Sequence, residues 1–266
     1  MSFENDSVKD VCTYSRSVSP DEADKVFKRV SELVKSGEGV FPGCHPVLAE
    51  ETDIDSILCA SEPRMWMTAI DCATPRSIVA FLEMESKTKV YMITTDCKVH
   101  TVKCGKFPFF MFKGTILDGL VVEDGKSRSP EFVVHDILTL SGRDMCRNGF
   151  SSRCELVEKI CNEYTASNTS KKSFNMDFKK ADYQKVHAHF SRDQLKQLMN
   201  DNAVLFKASS HKYRIQGCGK NFLYLPTTAL KFIKAGMKNP EKEKRTTPEI
   251  DVEWQMMEEN IFDIID

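Results

Sequence analysis

The sequence predicts an α+β fold, in which runs of strands alternate with a few helices instead of a repeated strand–helix unit. Apolar residues recur at helical spacing over residues 19–36 and again over residues 151–164. Short apolar or alternating segments, which are typical of strands, occupy residues 77–83, 89–95, 98–102, 115–122, 131–140, 202–207 and 221–225.

The first helix has clear boundary signals. Ser19 can cap its N-terminus, Pro20 suits its first turn, and Asp21 and Glu22 complement the helix dipole. Its apolar side consists of Ala23, Val26, Phe27, Val30, Leu33 and Val34, and Ser36-Gly37 ends it. The polar residues 1–18 before it are expected to be a mobile N-terminus.

Two further segments have specific expectations. Residues 115–122 and 131–140 are expected to form an antiparallel pair joined by a turn around Asp124-Gly125. After the second helix, residues 165–173 are rich in Ser, Thr, Asn and Lys and predict a loop. A short helix is expected after Ser191.

Composition and cysteine usage exclude several classes of protein. The hydrophobic content of 41% and the net charge of −2 are ordinary for a globular domain. Ten cysteines are scattered without a C-x-x-C pair or zinc-ligand spacing, so we expect reduced thiols and no metal. No apolar run is long enough for a bilayer, and the N-terminus lacks a signal-peptide core. The sequence therefore predicts a nuclear or cytoplasmic protein, not secreted and without membrane contact.

Charge is distributed unevenly near the C-terminus. Residues 207–245 contain ten Lys or Arg and two Glu, whereas residues 246–266 contain seven Asp or Glu and no Lys or Arg. Such asymmetry indicates an anionic ligand, an internal clasp, or simply two solvated surfaces. Lys207, Lys212, Arg214 and Lys220 are candidates for contacts with an anionic ligand, although most of them are expected to be solvated.

Residues 236–266 predict a basic linker followed by an acidic amphipathic helix. The segment Thr247-Pro248-Glu249 is a good helix start. One helical face then carries Ile250, Trp254, Met257, Ile261 and Ile264. This helix either folds back onto its own domain or docks onto a protein partner with Trp254 as the anchor.

Four segments, in order, resemble the nucleotidyltransferase domain of mRNA capping enzymes. They are VFPGCHPV at residues 40–47, the hairpin and F-P-F segment at residues 89–109, GTILDGLVV at residues 114–122, and EFVVHDILTLSGRD at residues 131–144. The order and spacing hold from about residue 20 to Pro226. The resemblance predicts a guanylyltransferase-like domain at residues 19–235.

The resemblance implies the core of antiparallel sheets with flanking helices that capping enzymes share with ATP-grasp-like ligases, built around a nucleotide cleft. In active capping enzymes an OB-fold domain follows and closes over the cleft. Forty residues follow Pro226, too few for a five-stranded barrel, so we expect the OB-fold domain to be absent.

The family's nucleophile is the lysine of K-x-D-G-x-R, which attacks the α-phosphate of GTP. If Arg76 is the motif arginine, the nucleophile position is Asp71; if Asp71 is the motif aspartate, the position is Ala69. No lysine lies between Lys35 and Lys87. We therefore expect no catalytic residue.

Other motif positions have also lost their charge. Leu120 stands at the acidic position of D-G-E, and Leu223 and Leu225 replace both lysines of L-K-W-K-P. Residues 200–206 carry amides where the family has carboxylates. Phosphoryl-type transfer needs fixed positive charge and a divalent metal. The resemblance thus implies a pseudoenzyme with neither a metal nor a cofactor.

The candidate ligand-binding residues are Arg76, Asp118, His135, Asp136 and Tyr224. Arg76, Asp118 and Asp136 stand where the family contacts ribose or nearby polar groups. His135 occupies the position of the aromatic residue beside the base, and Tyr224, like Trp66, is a possible stacking residue. Local hydrogen bonding for the aspartates and core packing for the rings are the alternatives.

Three functions remain open. The first is a non-catalytic protein that binds a guanine nucleotide or a capped RNA 5′ end, similar to snurportin, whose cap-binding domain is an inactive relative of this fold. The second is a pseudoenzyme that acts only as an interaction or regulatory partner of the capping or transcription machinery. The third is residual guanylyltransferase activity through a different residue.

Overall fold

In a computed structural model of the chain, the described residues are 15–37, 40–49, 51–59, 65–70, 74, 76–122, 130–167, 176–186, 190–199, 202–215 and 218–224. Asp71, the turn around Asp124-Gly125, Leu225 and the expected C-terminal helix lie outside them.

The described helices are α1 (Pro20–Val34), α2 (Glu51–Cys59), α3 (Phe150–Ser167) and α4 (Arg192–Met199). The predicted start of α1 is confirmed, because the Glu22 amide donates to the Ser19 hydroxyl at 3.3 Å. Lys35 ends α1 in the left-handed conformation, with its amide donating to the Ser31 carbonyl. None of the described helices combines the length and the hydropathy that a membrane span requires.

The larger of the two described sheets has eight strands. They are β1 (Ser15–Ser17), β4 (Arg76–Met84), β5 (Lys87–Thr94), β6 (Val99–Val102), β7 (Lys113–Val122), β8 (Glu131–Leu140), β9 (Arg143–Asp144) and β10 (Asp177–Lys180). The order across the sheet is β1-β6-β5-β4-β7-β8-β10, with β9 also paired to β8. The predicted antiparallel pairing of β7 with β8 is confirmed. Residues 15–17, which the sequence assigned to the mobile N-terminus, form the edge strand β1.

The smaller sheet has five described strands. They are β2 (His45–Leu48), β3 (Met65–Ile70), β11 (Gln184–Lys185), β12 (Ala203–Ala208) and β13 (Cys218–Tyr224). The order is β11-β3-β12-β13-β2, antiparallel except for β13 with β2. The chain crosses from this sheet to the larger one between Ile70 and Arg76, where the sequence places the nucleophile motif.

The helices cover both sheets. Val26, Val30 and Val34 of α1 pack on one side of the larger sheet, and Val157 and Ile160 of α3 pack on the other. On the smaller sheet, α2 and α4 bury Ile54, Leu58 and Leu195 against β3 and β12. The opposite side of the smaller sheet joins α3 and the larger sheet through Phe150, Tyr183, Leu205, Val133 and Leu223. The predicted α+β fold is confirmed.

Candidate functional site

Asp136 on β8 lies at the centre of a buried ion-pair cluster. Its oxygens accept from Arg153 Nε at 2.7 Å and Nη2 at 3.1 Å, and from Lys207 Nζ at 2.8 Å. The Ile137 amide also donates to this carboxylate, at 2.9 Å. Asp136 and Arg153 are each 1% exposed and Lys207 is 3% exposed. Two cationic side chains thus share one carboxylate with little access to water.

This cluster joins the two sheets. Asp136 is on β8 of the larger sheet, Arg153 is on α3, and Lys207 is on β12 of the smaller sheet. The Lys207 ammonium lies 4.8 Å from the ring centroid of Phe150 and 5.7 Å from that of Tyr183. Such cation–π contacts add to the ion pair in a desolvated setting. Lys207, expected among the solvated basic residues, is therefore a buried residue that links the sheets.

A second cluster surrounds Arg76 at the start of β4. Arg76 forms a bidentate ion pair with Asp118, with Nε 2.8 Å from Oδ1, and it also donates to the Cys44 carbonyl. The Tyr213 hydroxyl donates to Asp118 at 2.7 Å and accepts from the Cys44 amide at 2.9 Å. Asp118 is buried, whereas the Arg76 side chain remains 25% exposed. Arg76 is therefore anchored from within and still reaches the surface.

The neighbouring charges keep both aspartates ionised. Burial by itself raises the pKa of Asp136, but the positive charges of Lys207 and Arg153 outweigh it and hold this pKa well below the usual carboxyl range. Burial also raises the pKa of Asp118, and the charge and hydrogen bonds of Arg76 reverse that effect. These carboxylates are charged at neutral pH and already paired within the chain.

His135 is packed inside the domain. Its Nδ1 lies 3.2 Å from the Tyr183 hydroxyl, its ring meets Tyr183 edge to face, and its exposure is 8%. Burial, together with the charge of Lys207, lowers the pKa of His135 to about 3. The ring is therefore neutral at physiological pH, and Tyr183 occupies one of its edges.

The two predicted stacking rings lie on different sides of their sheet. Trp66 and Leu223 pack in the cluster that joins the two sheets. Tyr224 packs instead with the cluster beneath α2 and α4. Successive side chains of a strand point to opposite faces, so Tyr224 faces away from the joint between the sheets. Trp66 is half-buried on the joint side, where its Nε1 donates to the Ser151 hydroxyl at 3.1 Å.

Three motif positions that the sequence shows as substituted, Ala69, Leu120 and Leu223, carry no charge in the structure. Ala69 lies within β3 opposite Val204 on β12. Leu120 is half-buried on β7, opposite Arg76, and Leu223 lies within the apolar cluster between the sheets. The structure thus brings Arg76 and Asp118 together in one cluster and places Asp136 in a neighbouring one.

Comparison with protein families gives a match over most of the chain. The family described as mRNA capping enzyme, catalytic domain, matches residues 5–223 of the 266-residue chain. The chain belongs to the mRNA capping enzyme family. This match confirms the resemblance found in the sequence and agrees with the observed α+β fold. Comparison with curated proteins gives no significant match.

A divalent metal, which guanylyl transfer in capping enzymes uses, does not fit the described residues. Asp136 already accepts from two cationic side chains, and Asp118 is paired with Arg76. Leu120 provides no oxygen ligand. Nowhere in the described ranges do three His, Cys, Asp or Glu side chains gather as a potential metal site.

Sequence reasoning did not find Arg153, Lys207, Tyr183 or Tyr213 as partners of the predicted residues. Arg153 lies in an amphipathic helix where a basic residue is ordinarily solvated, and Tyr213 lies in an irregular segment after β12. The one available signal was Lys207, a lysine within the otherwise apolar strand Ala203–Ala208.

Proposed function

We propose that this chain is a non-catalytic member of the capping-enzyme family that binds a guanine nucleotide or an RNA 5′ cap without a metal ion. The observation that carries the proposal is the pairing of Asp136 with both Arg153 and Lys207 in the interior. A carboxylate neutralised in this way has no charge left to attract a metal. Ala69 and Leu223, as apolar motif residues, support the same conclusion.

Trp66 is the proposed residue for stacking on the base. It lies on the side of the smaller sheet that faces α3, and the Lys185 ammonium is 5.2 Å from its ring centroid. An indole face suits the positively charged ring of 7-methylguanine, which would take the place of the Lys185 ammonium there. His135 and Tyr224 remain predicted contacts, but their rings pack within the protein.

Arg76 is the proposed polar anchor for the ligand. Asp118, Cys44 and Tyr213 hold its guanidinium in place, so little side-chain entropy is lost when a ligand binds. Its remaining exposure of 25% leaves an edge that can meet a ribose or phosphate oxygen. The Arg76 contact therefore needs no metal.

The second candidate function is a pseudoenzyme that acts only as a partner of the capping or transcription machinery. It is favoured by the internal hydrogen bonds of Asp118 and Asp136, because side chains bound to each other offer less to a ligand. Residual guanylyl transfer is the third, and among the described lysines Lys207 contacts a predicted site residue, with Nζ 2.8 Å from Asp136.

Incubation with labelled GTP is expected to leave no label on the protein. Lys207 Nζ is held in the interior by the Asp136 carboxylate and the His135 carbonyl, so it is not positioned to attack an α-phosphate as a lysine nucleophile does. The protein is incubated with GTP labelled at the α-phosphate and magnesium or manganese, then denatured and separated on a gel. Stoichiometric, acid-labile label would contradict the proposal, and its loss in Lys207→Arg would assign it to Lys207.

Replacing Trp66 with leucine is expected to weaken binding of a 7-methylguanosine cap analogue by roughly tenfold, since a lost stack costs ~1–3 kcal/mol. Calorimetric titration of the cap analogue and of GTP, each with and without magnesium, measures this change. Tyr224→Leu tests the other predicted stacking residue, and we expect a smaller loss of affinity than for Trp66→Leu because Tyr224 packs on the α2 and α4 side of the sheet. No binding by the unmodified protein at millimolar analogue would favour the interaction-partner function instead.

A further inference from the structure

The short 3₁₀ helix Phe109–Phe112 presents two aromatic rings to solvent. Phe109 is 58% exposed and Phe110 is 43% exposed. The same turn buries Met111, and Phe112 meets Phe81 edge to face at 5.7 Å between ring centroids. The turn therefore has an anchored inner side and an outer side made of two neighbouring phenylalanine rings, which we call the Phe109–Phe110 platform.

The backbone under the platform is fixed by hydrogen bonds and packing. The Met111 amide donates to the Pro108 carbonyl at 3.0 Å, and the Ser141 hydroxyl donates to the Phe110 carbonyl at 2.8 Å. Just before the turn, Phe107 packs edge to face on Phe81 at 4.6 Å. Rings on an ordered backbone lose little entropy when a ligand stacks on them.

Lysines flank the platform along the chain. Residues 97–117 contain four lysines and no Asp or Glu. Lys98 is paired with Asp96 at 2.8 Å, and the exposed Lys103, Lys106 and Lys113 lie on either side of the rings in the chain. Exposed Arg143 follows two residues after Ser141, which contacts the turn directly. The platform therefore combines apolar rings with several cations.

A cavity of about 520 Å³ adjoins the inner end of the turn. Its lining includes Phe112, Lys103, Thr101 and Thr88. Lys89 also lines it, and its ammonium is paired with Glu22 at 2.6 Å, so this lysine is already neutralised. A cavity of this size can hold one nucleotide unit, with hydroxyl and ammonium donors at its wall.

We propose that the Phe109–Phe110 platform binds single-stranded RNA. Bases stack on the two rings, and phosphates lie against Lys103, Lys106 and Lys113, as in aromatic and basic surfaces that bind single strands without sequence preference. The contact is separate from the proposed cap site, and it holds the RNA chain instead of its 5′ end. A protein partner fits less well, because lysine is depleted from the cores of protein–protein interfaces.

Fluorescence anisotropy with a labelled oligouridine tests this surface. The probe carries a 5′-hydroxyl and no cap, so its binding does not depend on the proposed cap site. Replacing both rings in Phe109→Ser/Phe110→Ser is expected to weaken binding by about a hundredfold, or roughly tenfold per lost stack. Replacing Lys106 and Lys113 with glutamine should reduce the salt slope of log K by about 0.7 for each lysine that contacts a phosphate.

Three controls separate stacking from general attraction. Val40→Ser removes another exposed apolar side chain (51% exposed) and should leave RNA affinity unchanged. Lys196→Gln removes an exposed lysine on α4 and should leave the salt slope unchanged. A duplex of the same length should compete poorly, because its bases are already stacked with each other.

The proposal is overturned if the unmodified protein does not bind the probe, or if the double serine variant binds it equally well. Equal competition by the duplex would likewise overturn it, since binding would then be electrostatic only. If the serine pair instead converts a dimer into a monomer in sedimentation, the platform is a protein–protein contact. If Trp66→Leu no longer binds the cap analogue but binds the oligouridine probe with unchanged affinity, the two sites are independent of each other.

Discussion

Replacing Asp136 with asparagine is expected to lower the free energy of unfolding by about 3–5 kcal/mol, the usual cost of breaking a buried ion pair from one side. The substitution leaves Arg153 and Lys207 as two buried cations without an anion between them. Urea denaturation at pH 7 measures the loss. Asp193→Asn, at an exposed aspartate on α4, is the control and should change stability by less than about 0.5 kcal/mol.

A double variant distinguishes uncompensated charge from a simple loss of packing. Asp136→Asn/Lys207→Met removes one of the two stranded cations and keeps a chain of similar length over the Phe150 ring. We expect it to be more stable than Asp136→Asn alone, with a coupling energy of about 1–3 kcal/mol. Strictly additive effects, or a single variant no less stable than Asp193→Asn, would show that the cluster does not join the sheets energetically.

Acidification from pH 7.5 to pH 5 is expected to destabilise the protein by about 4 kcal/mol. Burial lowers the pKa of His135 and that of His211 to about 3, whereas an unfolded histidine titrates near 6.5. The contribution of each neutral histidine to the free energy of unfolding is fully present above pH 6.5 and is lost as the pH falls toward 3. At pH 5 the loss is about 2 kcal/mol for each histidine. Asp118 and Asp136 have lowered pKa values, so their contributions decline only below about pH 4.

The His211→Leu variant tests this assignment. Its Nε2 has no hydrogen-bond partner among the described residues, so leucine removes a titrating group without breaking a bond there. Urea denaturation of the variant at pH 7.5 and pH 5 should give about half the difference found for the unmodified protein. A stability that is the same at both pH values in the unmodified protein would mean that these histidines are protonated in the folded state.

Local sequence patterns were sufficient to predict much of the fold. The helix α1 carries a cap, a proline and an apolar stripe within one segment, and β7 and β8 are long apolar strands close together in the chain. The strand β3 and the short helix α2 were not predicted. The sequence of β3, MWMTAI, does not alternate between apolar and polar residues. The helix α2 has only nine residues, ETDIDSILC. Each therefore depends on burial against segments that are distant in the chain.

The candidate site was predictable only in part, for a related reason. Family motifs identified Arg76, Asp118 and Asp136, whose positions follow from the strands that carry them. The partners that determine their chemistry come from elsewhere: Tyr213 is 95 residues from Asp118, and Lys207 is 71 residues from Asp136. Tyr224 was expected near the cleft, but its side chain lies on the face of the smaller sheet that packs against α2 and α4. Which face a strand residue occupies depends on the pairing register, which the sequence alone does not define.

The strand order of the smaller sheet has a consequence during synthesis. β2 pairs with β13, and β3 pairs with β11 and β12, all of which leave the ribosome more than a hundred residues later. At a synthesis rate of 5–20 residues per second, the apolar side chains of β2 and β3 stay unpaired for roughly ten seconds before their partner strands are synthesised. In that interval the sequential pairs β4–β5, β5–β6 and β7–β8 of the larger sheet can already form. The nascent chain therefore exposes unpaired β2 and β3 for long enough to bind a chaperone.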